Sequence, residues 1–552
     1  MAFDKQFDFV IVGGGLSGCV LAARLREALP SLSVALLEAG PDESRNPTVL
    51  SPVLYPTLHG TPLQYSYQST PQPQIQDRKI PNWGGRLRKL FFPPLTDASS
   101  SQLSKVVSGS SAVNYGAWTR GHAADFDSWS RMVEDPRWSY EGLLPYFKKS
   151  EHWHDESGDK SHHGFSGPMH TSSGGRDYAL REPVRNALLS TGLQFNADVN
   201  SGHPNGVTKL VESWHNASRQ HAAICYNLEG VHVMTNTVVQ RVIIENSIAV
   251  GVELNDGRRL AATKEVIVSC GALRTPQILM LSGIGPQTEV SKFDIKQVVD
   301  LPVGQYLHDH GSVNIVWKLK NPDQGYAFGS PAFNKPEYGT GNPMDWMATA
   351  AAPDGDLRKA ADIDGTRFQS DERTDYEVTV MYGITAAAPV EVAPMDGTHI
   401  TTGILCLSPT SRGTVTLASK SGTDSPIIDP RYFTTEHDRA VLRAGMRCAL
   451  QAMESMKEYI VDETPPPGMP RINSASSDED LDERIKAMAW SWFHAGGTAS
   501  MGKVVDSQCR VYGVDRLRVV DTSIMPLSIT AHLQAPMYAV AESAADLIAQ
   551  AA

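Results

Sequence analysis

Residues 7–40 read FDFVIVGGGLSGCVLAARLREALPSLSVALLEAG. Phe9 to Val12 is a short, β-branched apolar run that stops at glycines, the signature of a buried strand. Gly13, Gly15 and Gly18 follow in a G-x-G-x-x-G pattern. In such a pattern the first glycine makes a tight turn, the second admits a pyrophosphate, and the third lets a helix lie close to the strand. Leu21, Ala22 and Leu25 continue at helical spacing, and the helix start at Leu16 and Ser17 offers free N–H groups to phosphate. A second strand, residues 34–37, ends at Glu38, twenty positions beyond Gly18. A carboxylate there accepts ribose hydroxyls and repels a 2′-phosphate. Strand, glycine turn, helix, strand and acid in this order give a Rossmann-like α/β dinucleotide-binding unit.

The chain has 552 residues and a formal net charge of −12. That length suits two or three domains. The acidic balance, with no basic run, excludes a nucleic-acid footprint. No stretch of about 18 apolar residues is present, so no membrane span is expected. The N-terminal residues enter the first strand almost at once, leaving no signal peptide, and LIAQAA is not a peroxisomal tripeptide; a cytoplasmic location is expected. The six cysteines form no C-x-x-C pair and are expected as free thiols.

Residues 41–104 are rich in Pro, Ser and Gln with scattered aromatics, Tyr65, Tyr67, Trp83, Phe91 and Phe92 among them. Their length suggests a lid. KVVSGSSAVN, residues 105–114, has small residues against which something bulky can lie. Tyr140 to Ser150 reads as a helix. His152, His154, His162, His163 and His170 have no consistent ligand spacing, so residues 151–175 are expected as a surface loop and no metal site is expected. Residues 205–260 alternate short apolar runs with turns. Thr275-Pro276 reads as a helix start within GALRTPQILMLSGIG, residues 271–285. Residues 320–400 are loop-rich, strands resume at 400–407 and 413–417, and residues 436–456 read as a helix.

Two histidines stand near the C-terminus. His494 precedes a Gly-Gly turn, and His532 lies at the mouth of a final helix with Pro536 in its first turn. Residues 517–526, LRVVDTSIMP, form a buried strand ending at Asp521. Beside a nucleotide-binding fold, two such histidines are candidates for proton handling, because imidazole titrates near neutral pH.

Separated motifs carry a resemblance to the glucose–methanol–choline (GMC) oxidoreductase family of FAD enzymes: VGGGLSG through Glu38, KVVSGSSAVN, GALRTPQILMLSGIG, FHAGGTASMG and VVDTSIMP…AHLQAP, with LPVGQYLHDH and SPTSRGTVTL as further matches. The resemblance implies an FAD-binding domain at 1–310 and 500–552, discontinuous, with insertions at about 41–104 and 150–205. It also implies an α+β substrate-binding domain at 311–499 with a six-stranded antiparallel sheet. By position, Leu16, Ser17 and Glu38 would hold the ADP half of FAD. Val239 would address adenine through its backbone. Asn114 and Ala117 would line the flavin, and Asp521, Thr522 and Leu533 would hold the pyrophosphate and flavin end. His494 and His532 match the catalytic pair. Ser104 and Ser108 depart from the family pattern, where glycines are usual. No histidine lies between Ser104 and Tyr115 for covalent attachment, so FAD is expected to be non-covalent. NYGAWTRG and AHLQAP resemble a subgroup from fungal natural-product pathways.

The chemistry this implies is oxidation of the hydroxyl of a small-molecule alcohol or lactol. A histidine takes the proton, flavin N5 takes hydride, and O₂ or another acceptor takes the electrons. A non-redox lyase or cyclase using His494 and His532 as acid and base on the same FAD scaffold is the alternative, and a non-enzymatic FAD carrier is a third.

Overall fold

The computed structural model describes every residue except 1, 2, 59, 60, 62, 64–66, 81–105, 157–159, 369 and 386–391. Ser104 and the aromatics at 65, 83, 91 and 92 lie outside the described residues. Tyr67 lies within them and is buried.

The first sheet is built on Lys5–Val12, whose last four residues are buried. Val34–Leu37 and Arg259–Val268 flank it, both parallel to it, and His232–Met234 extends the sheet beyond Val34–Leu37. Arg259–Val268 is shared along its length. Its first residues pair antiparallel with Ile248–Leu254, and Val266–Val268 pair parallel with Leu517–Val519. Between the first two strands runs the helix Leu16–Ala28. A Cβ at Gly18 would lie 2.0 Å from the Gly13 carbonyl oxygen, so only glycine lets the helix approach this closely.

The last helix, Gln534–Ala551, packs against Leu16–Ala28. Pro536 sits in its first turn, as its sequence suggests. Glu542 is fully buried in that contact and accepts from Arg24 Nη2 at 2.8 Å and Tyr226 Oη at 2.9 Å. An unpaired carboxylate could not be held there.

In the second sheet, Ile460–Thr464, Gly311–Leu319, His399–Cys406, Tyr376–Met381, Trp346–Ala350 and Gly206–Lys209 lie side by side, every pair antiparallel. Trp490–Ser491 pairs with Gly311 and Ser312, so it extends the edge that Ile460–Thr464 occupies further along, and the sheet is six strands wide. The long helix Glu436–Ser455 covers one face. This is the α/β FAD-binding fold with a second, antiparallel-sheet domain.

Three sequence expectations need refinement or correction. Residues 320–400 are loop-rich, as expected, but they also supply the strands Trp346–Ala350 and Tyr376–Met381 and the helix Asp354–Asp364. Both strands are buried on both faces. The second correction concerns Pro276. The helix begins at Gly271, and Pro276 is inside it. Proline has no N–H for the carbonyl four residues back, which is that of Ala272. The Thr498 hydroxyl donates to that carbonyl at 2.6 Å and replaces the missing bond. Thirdly, residues 151–175 contain the paired strands Glu151–Trp153 and Met169–Thr171. All six cysteines are unpaired, as expected. Among the described residues no helix is long and apolar enough to cross a membrane.

Thr498→Val keeps the shape and removes the hydroxyl, leaving a buried carbonyl unsatisfied. We expect it to lower the unfolding free energy by about 1–3 kcal/mol. Denaturant unfolding of the FAD-loaded protein measures this, and an unchanged midpoint would refute the assignment.

Candidate active site

A cavity of about 360 Å³ runs from the glycine turn to the C-terminal histidines. At one end it is lined by Gly13, Gly15, Leu16, Ser17 and Glu38, with Val239 beside them. Asn114, Ala117, Asp521, Thr522 and Leu533 line its middle, and His494 and His532 its far end. Gly18 is the one predicted residue that does not line it, in keeping with its packing role.

Two carboxylates of the lining, Glu38 at the near end and Asp521 in the middle, accept hydrogen bonds from the backbone around them. Glu38 Oε2 accepts from Gly14 N at 2.9 Å and Oε1 from Gly40 N at 2.9 Å. Asp521 Oδ2 accepts from Gly271 N at 2.9 Å and from the Thr275 hydroxyl at 2.6 Å; its Oδ1 accepts from Ser523 N at 2.8 Å. Burial raises the Asp521 pKa, and these donors oppose the rise. Gly15 and Gly271 both face the cavity. A Cβ at Gly271 would meet nothing within 4 Å, and one at Gly15 only the Ser269 oxygen at 3.8 Å. The backbone thus leaves room for a ligand to lie directly on it, which fits a dinucleotide such as FAD.

Ser108, a departure from the family glycine, has φ +100, a conformation that favours glycine. Its side chain is fully buried, with Oγ 2.8 Å from His221 Nδ1 and accepting from Ala223 N at 2.9 Å. These bonds offset the strain. Asn114 Oδ1 accepts from Gly116 N at 3.0 Å and Arg219 Nη1 at 2.8 Å, which fixes its amide toward the cavity.

At the far end three imidazoles form a row. The His494 and His532 rings are 5.2 Å apart and nearly perpendicular at 86°. Behind His494 lies His310, with the two Nδ1 atoms 2.8 Å apart. His310 Nε2 lies 2.8 Å from the Ser528 hydroxyl. Burial, then the neighbouring imidazoles, hold His494 well below the usual histidine pKa, and burial pushes His310 down to about 3. Both are therefore neutral at pH 7, and one of the facing nitrogens carries the shared hydrogen. With that hydrogen on His494 Nδ1, its Nε2 has a lone pair and can act as a base.

His494 follows Phe493, a non-glycine residue at φ +66. The strain is held by Asp309. Its Oδ1 accepts from His494 N at 2.7 Å, and its Oδ2 from the Ser491 hydroxyl at 2.5 Å and from the Tyr432 hydroxyl. Ser491 Oγ in turn accepts from Phe493 N at 2.9 Å. Burial raises the Asp309 pKa against these bonds.

His532 is oriented from two sides. Its backbone N–H donates to Thr119 Oγ1 at 2.8 Å, and its Nε2 lies 2.9 Å from Glu377 Oε1. Glu377 is buried on Tyr376–Met381 and shares a face with Thr379 and Met381, which line the cavity. Met344, Trp492 and Phe493 complete a mainly apolar end.

Asp309, His310 and Glu377 were not singled out in the sequence. The first two lie in LPVGQYLHDH, which matched as a motif without roles for its residues. Glu377 lies in a segment read as loop. Once YEVTVM is seen as a strand, its lone acid on the face of Thr379 is the signal.

Residues 7–312 and 409–541 match the N-terminal and C-terminal parts of the GMC oxidoreductase family. GMC-type oxidoreductase acuG of Aspergillus aculeatus is 46% identical over 556 residues, covering 99% of both chains. An oxygen-dependent choline dehydrogenase of Vibrio vulnificus is 30% identical, covering 99% of this chain and 94% of its own. Among solved structures, a formate oxidase variant from Aspergillus oryzae superposes with a TM-score of 0.86 at 27% identity, covering 99% of each chain. The chain belongs to the GMC oxidoreductases and is an FAD-dependent oxidoreductase.

Proposed function

We propose that the protein oxidises the hydroxyl of a small, largely apolar alcohol or lactol to a carbonyl, with His494 as the base. The observation that carries this reading is the row of imidazoles, His310, His494 and His532, at the end of the cavity that begins at Glu38. Gly13, Gly15, Leu16, Ser17, Glu38 and Val239 would hold the adenosine and phosphate end of FAD. Asn114, Ala117, Asp521, Thr522 and Leu533 would hold the remainder. FAD, when bound there, would supply the two-electron oxidant that accepts hydride from the alcohol.

The protein's own part is proton transfer and orientation. The substrate hydroxyl sits between His494 and His532. His494 Nε2 takes its proton, and the carbon–oxygen double bond forms as the α-hydrogen leaves with its electron pair. The new imidazolium keeps its Nδ1 hydrogen on His310 Nδ1. His310 passes its own hydrogen bond to Ser528, so the charge is met by a chain of neutral dipoles. His532, held by Glu377, positions the substrate oxygen. The apolar walls at Met344, Met381, Trp492 and Phe493 exclude water and favour an apolar substrate. Electrons pass on to O₂ or to another acceptor. The natural-product setting suggested by NYGAWTRG and AHLQAP fits the likeness to acuG, a fungal protein.

An anaerobic screen of aryl, aliphatic, sugar and lactol alcohols tests the reaction directly. The expected outcome is bleaching of the flavin absorbance, with the rate falling by about 10²–10⁴-fold in His494→Ala. Turnover with the flavin remaining oxidised would instead establish the lyase or cyclase reading.

The pH dependence has a definite sign. His494 has a depressed pKa, so it stays an unprotonated base until the pH falls well below 6.5. kcat/KM is therefore expected to stay level between pH 8 and pH 6.5, with the acid limb below that range. A limb centred on 6.5 or above would exclude His494 as the base.

Glu377→Gln removes the carboxylate but keeps a hydrogen-bonding oxygen. A hydrogen bond to a charged group contributes about 1.5–3 kcal/mol, so kcat is expected to fall by roughly 10- to 150-fold, with a smaller change in KM. Glu377→Asp should recover part of the loss. Equal losses in both variants with an unfolded protein by circular dichroism would mark a purely structural role.

A further inference from the structure

Four of the five histidines of residues 151–175 fall into two sets. His163 is buried and belongs to an ionic network, with Nδ1 2.8 Å from Glu151 Oε2 and Nε2 3.1 Å from Asp198 Oδ2. His152, His154 and His170 instead gather on the opposite side of the small parallel ribbon formed by Glu151–Trp153 and Met169–Thr171. His152 lies directly opposite His170 in the register. His154, two residues further on, faces the same way, while Trp153 between them turns inward and stacks on His163. A fourth histidine, His215, comes from the separate strand Trp214–His215. The hairpin that carries it turns through Asn216 and Ala217, both at positive φ.

The four rings form one stack. Centroid separations are 4.7 Å for His152–His154, 4.6 Å for His152–His170, 4.4 Å for His154–His215 and 4.5 Å for His170–His215. His154 Nε2 and His170 Nδ1 are 2.7 Å apart. One ring nitrogen from each of His152, His154 and His170 lies within 4.8 Å of the others. The set is half-buried except for His154, which is exposed, so solutes can reach it.

We propose that His152, His154 and His170 bind one divalent transition-metal ion of the Zn²⁺, Ni²⁺ or Cu²⁺ class, with His215 stacked against two of them, at a site separate from the cofactor cavity. Imidazole-only donors suit these borderline cations and do not suit Mg²⁺ or Ca²⁺, which take oxygen ligands. Metal–nitrogen bonds of about 2.0–2.1 Å set ligand nitrogens about 3.3 Å apart in a tetrahedron, a spacing reached here by turning the rings. Asp155 is the acid facing His154, and it accepts from Ser173 N at 2.9 Å.

The ion would tie together the two strands of the ribbon, and His215 packs on it from the separate strand Trp214–His215. Trp214, next to His215, donates from Nε1 to the Tyr115 carbonyl at 3.1 Å and packs against Gly116, where a Cβ would lie 2.5 Å from that nitrogen. Tyr115 and Gly116 line the cofactor cavity. The metal would brace the outer side of that wall.

The test uses untagged, FAD-loaded enzyme stripped with a chelator and titrated with Zn²⁺ at pH 7.5 against a chromophoric competitor. One equivalent is expected to bind. His154→Gln with His170→Gln should weaken it by at least about a hundredfold, since loss of even outer-shell partners costs 10- to 100-fold. His122→Gln with His203→Gln alters the other cluster that could hold an ion, His122, His203 and Glu372, and should leave the affinity unchanged. The flavin absorption spectrum reports that both variants are folded. A measurement independent of variants is the Cu²⁺ paramagnetic resonance spectrum of the wild-type enzyme, where splitting from three or four nitrogens is expected. The proposal is overturned by no stoichiometric binding at micromolar Zn²⁺, by affinity that survives in the first double variant or is lost in the second, or by a Cu²⁺ spectrum dominated by oxygen ligands.

Discussion

The Asp309 carboxylate is the constraint on which the reacting end of this enzyme depends. It is buried and accepts from Tyr432, Ser491 and the backbone of His494. Burying a carboxylate costs several kcal/mol, and each donor returns about 1.5–3 kcal/mol, so no single bond suffices and the three must form together. Their joint formation fixes the strained turn at Phe493 and with it the position of His494. His310, the next residue after Asp309, reaches the same histidine from the side. Two consecutive residues thus set both the backbone and the ring of the proposed base.

The first βαβ unit was legible because its requirements are local. A glycine turn, a helix start and an acid at fixed spacing leave few alternatives, and the strands and cavity lie where the residues place them. His494 and His532 were legible through motifs that share one short stretch each. Glu377 and the His310–His494 contact were not. They are long-range pairings, across 155 and 184 positions, and local pattern carries no information about which distant strand lies opposite. Pro276 misled for a related reason: the helix tolerates it only because Thr498, more than two hundred positions away, supplies the missing donor. The histidine stack was missed because three of its rings depend on strand register and the fourth on another strand.

The neutral state of His310 and His494 shapes how the site handles charge. Among the described residues, the acids nearest this row are bound to donors: Asp309 to three, and Glu377 to His532. The proton taken from substrate therefore creates a new positive charge in an enclosed space rather than moving an existing one. In low-dielectric surroundings such a charge acts over several ångströms on whatever lies in the cavity, which is where a developing negative charge gains most from it.

The interleaved topology also dictates when the chain can finish folding. The long strand Arg259–Val268 needs Leu517–Val519 as a neighbour, and the helix Leu16–Ala28 is covered by Gln534–Ala551. The second sheet needs Gly206–Lys209 from one side and Trp490–Ser491 from the other. During synthesis the second sheet cannot be completed before Trp490–Ser491 emerges, nor the first before Leu517–Val519 does. The glycine turn, made first, must wait exposed for its partner segments, and the nascent chain carries an incomplete cofactor cavity throughout synthesis. The cavity for the cofactor is complete only when these late segments, Asp521 and His532 among their neighbours, have joined the elements made before them.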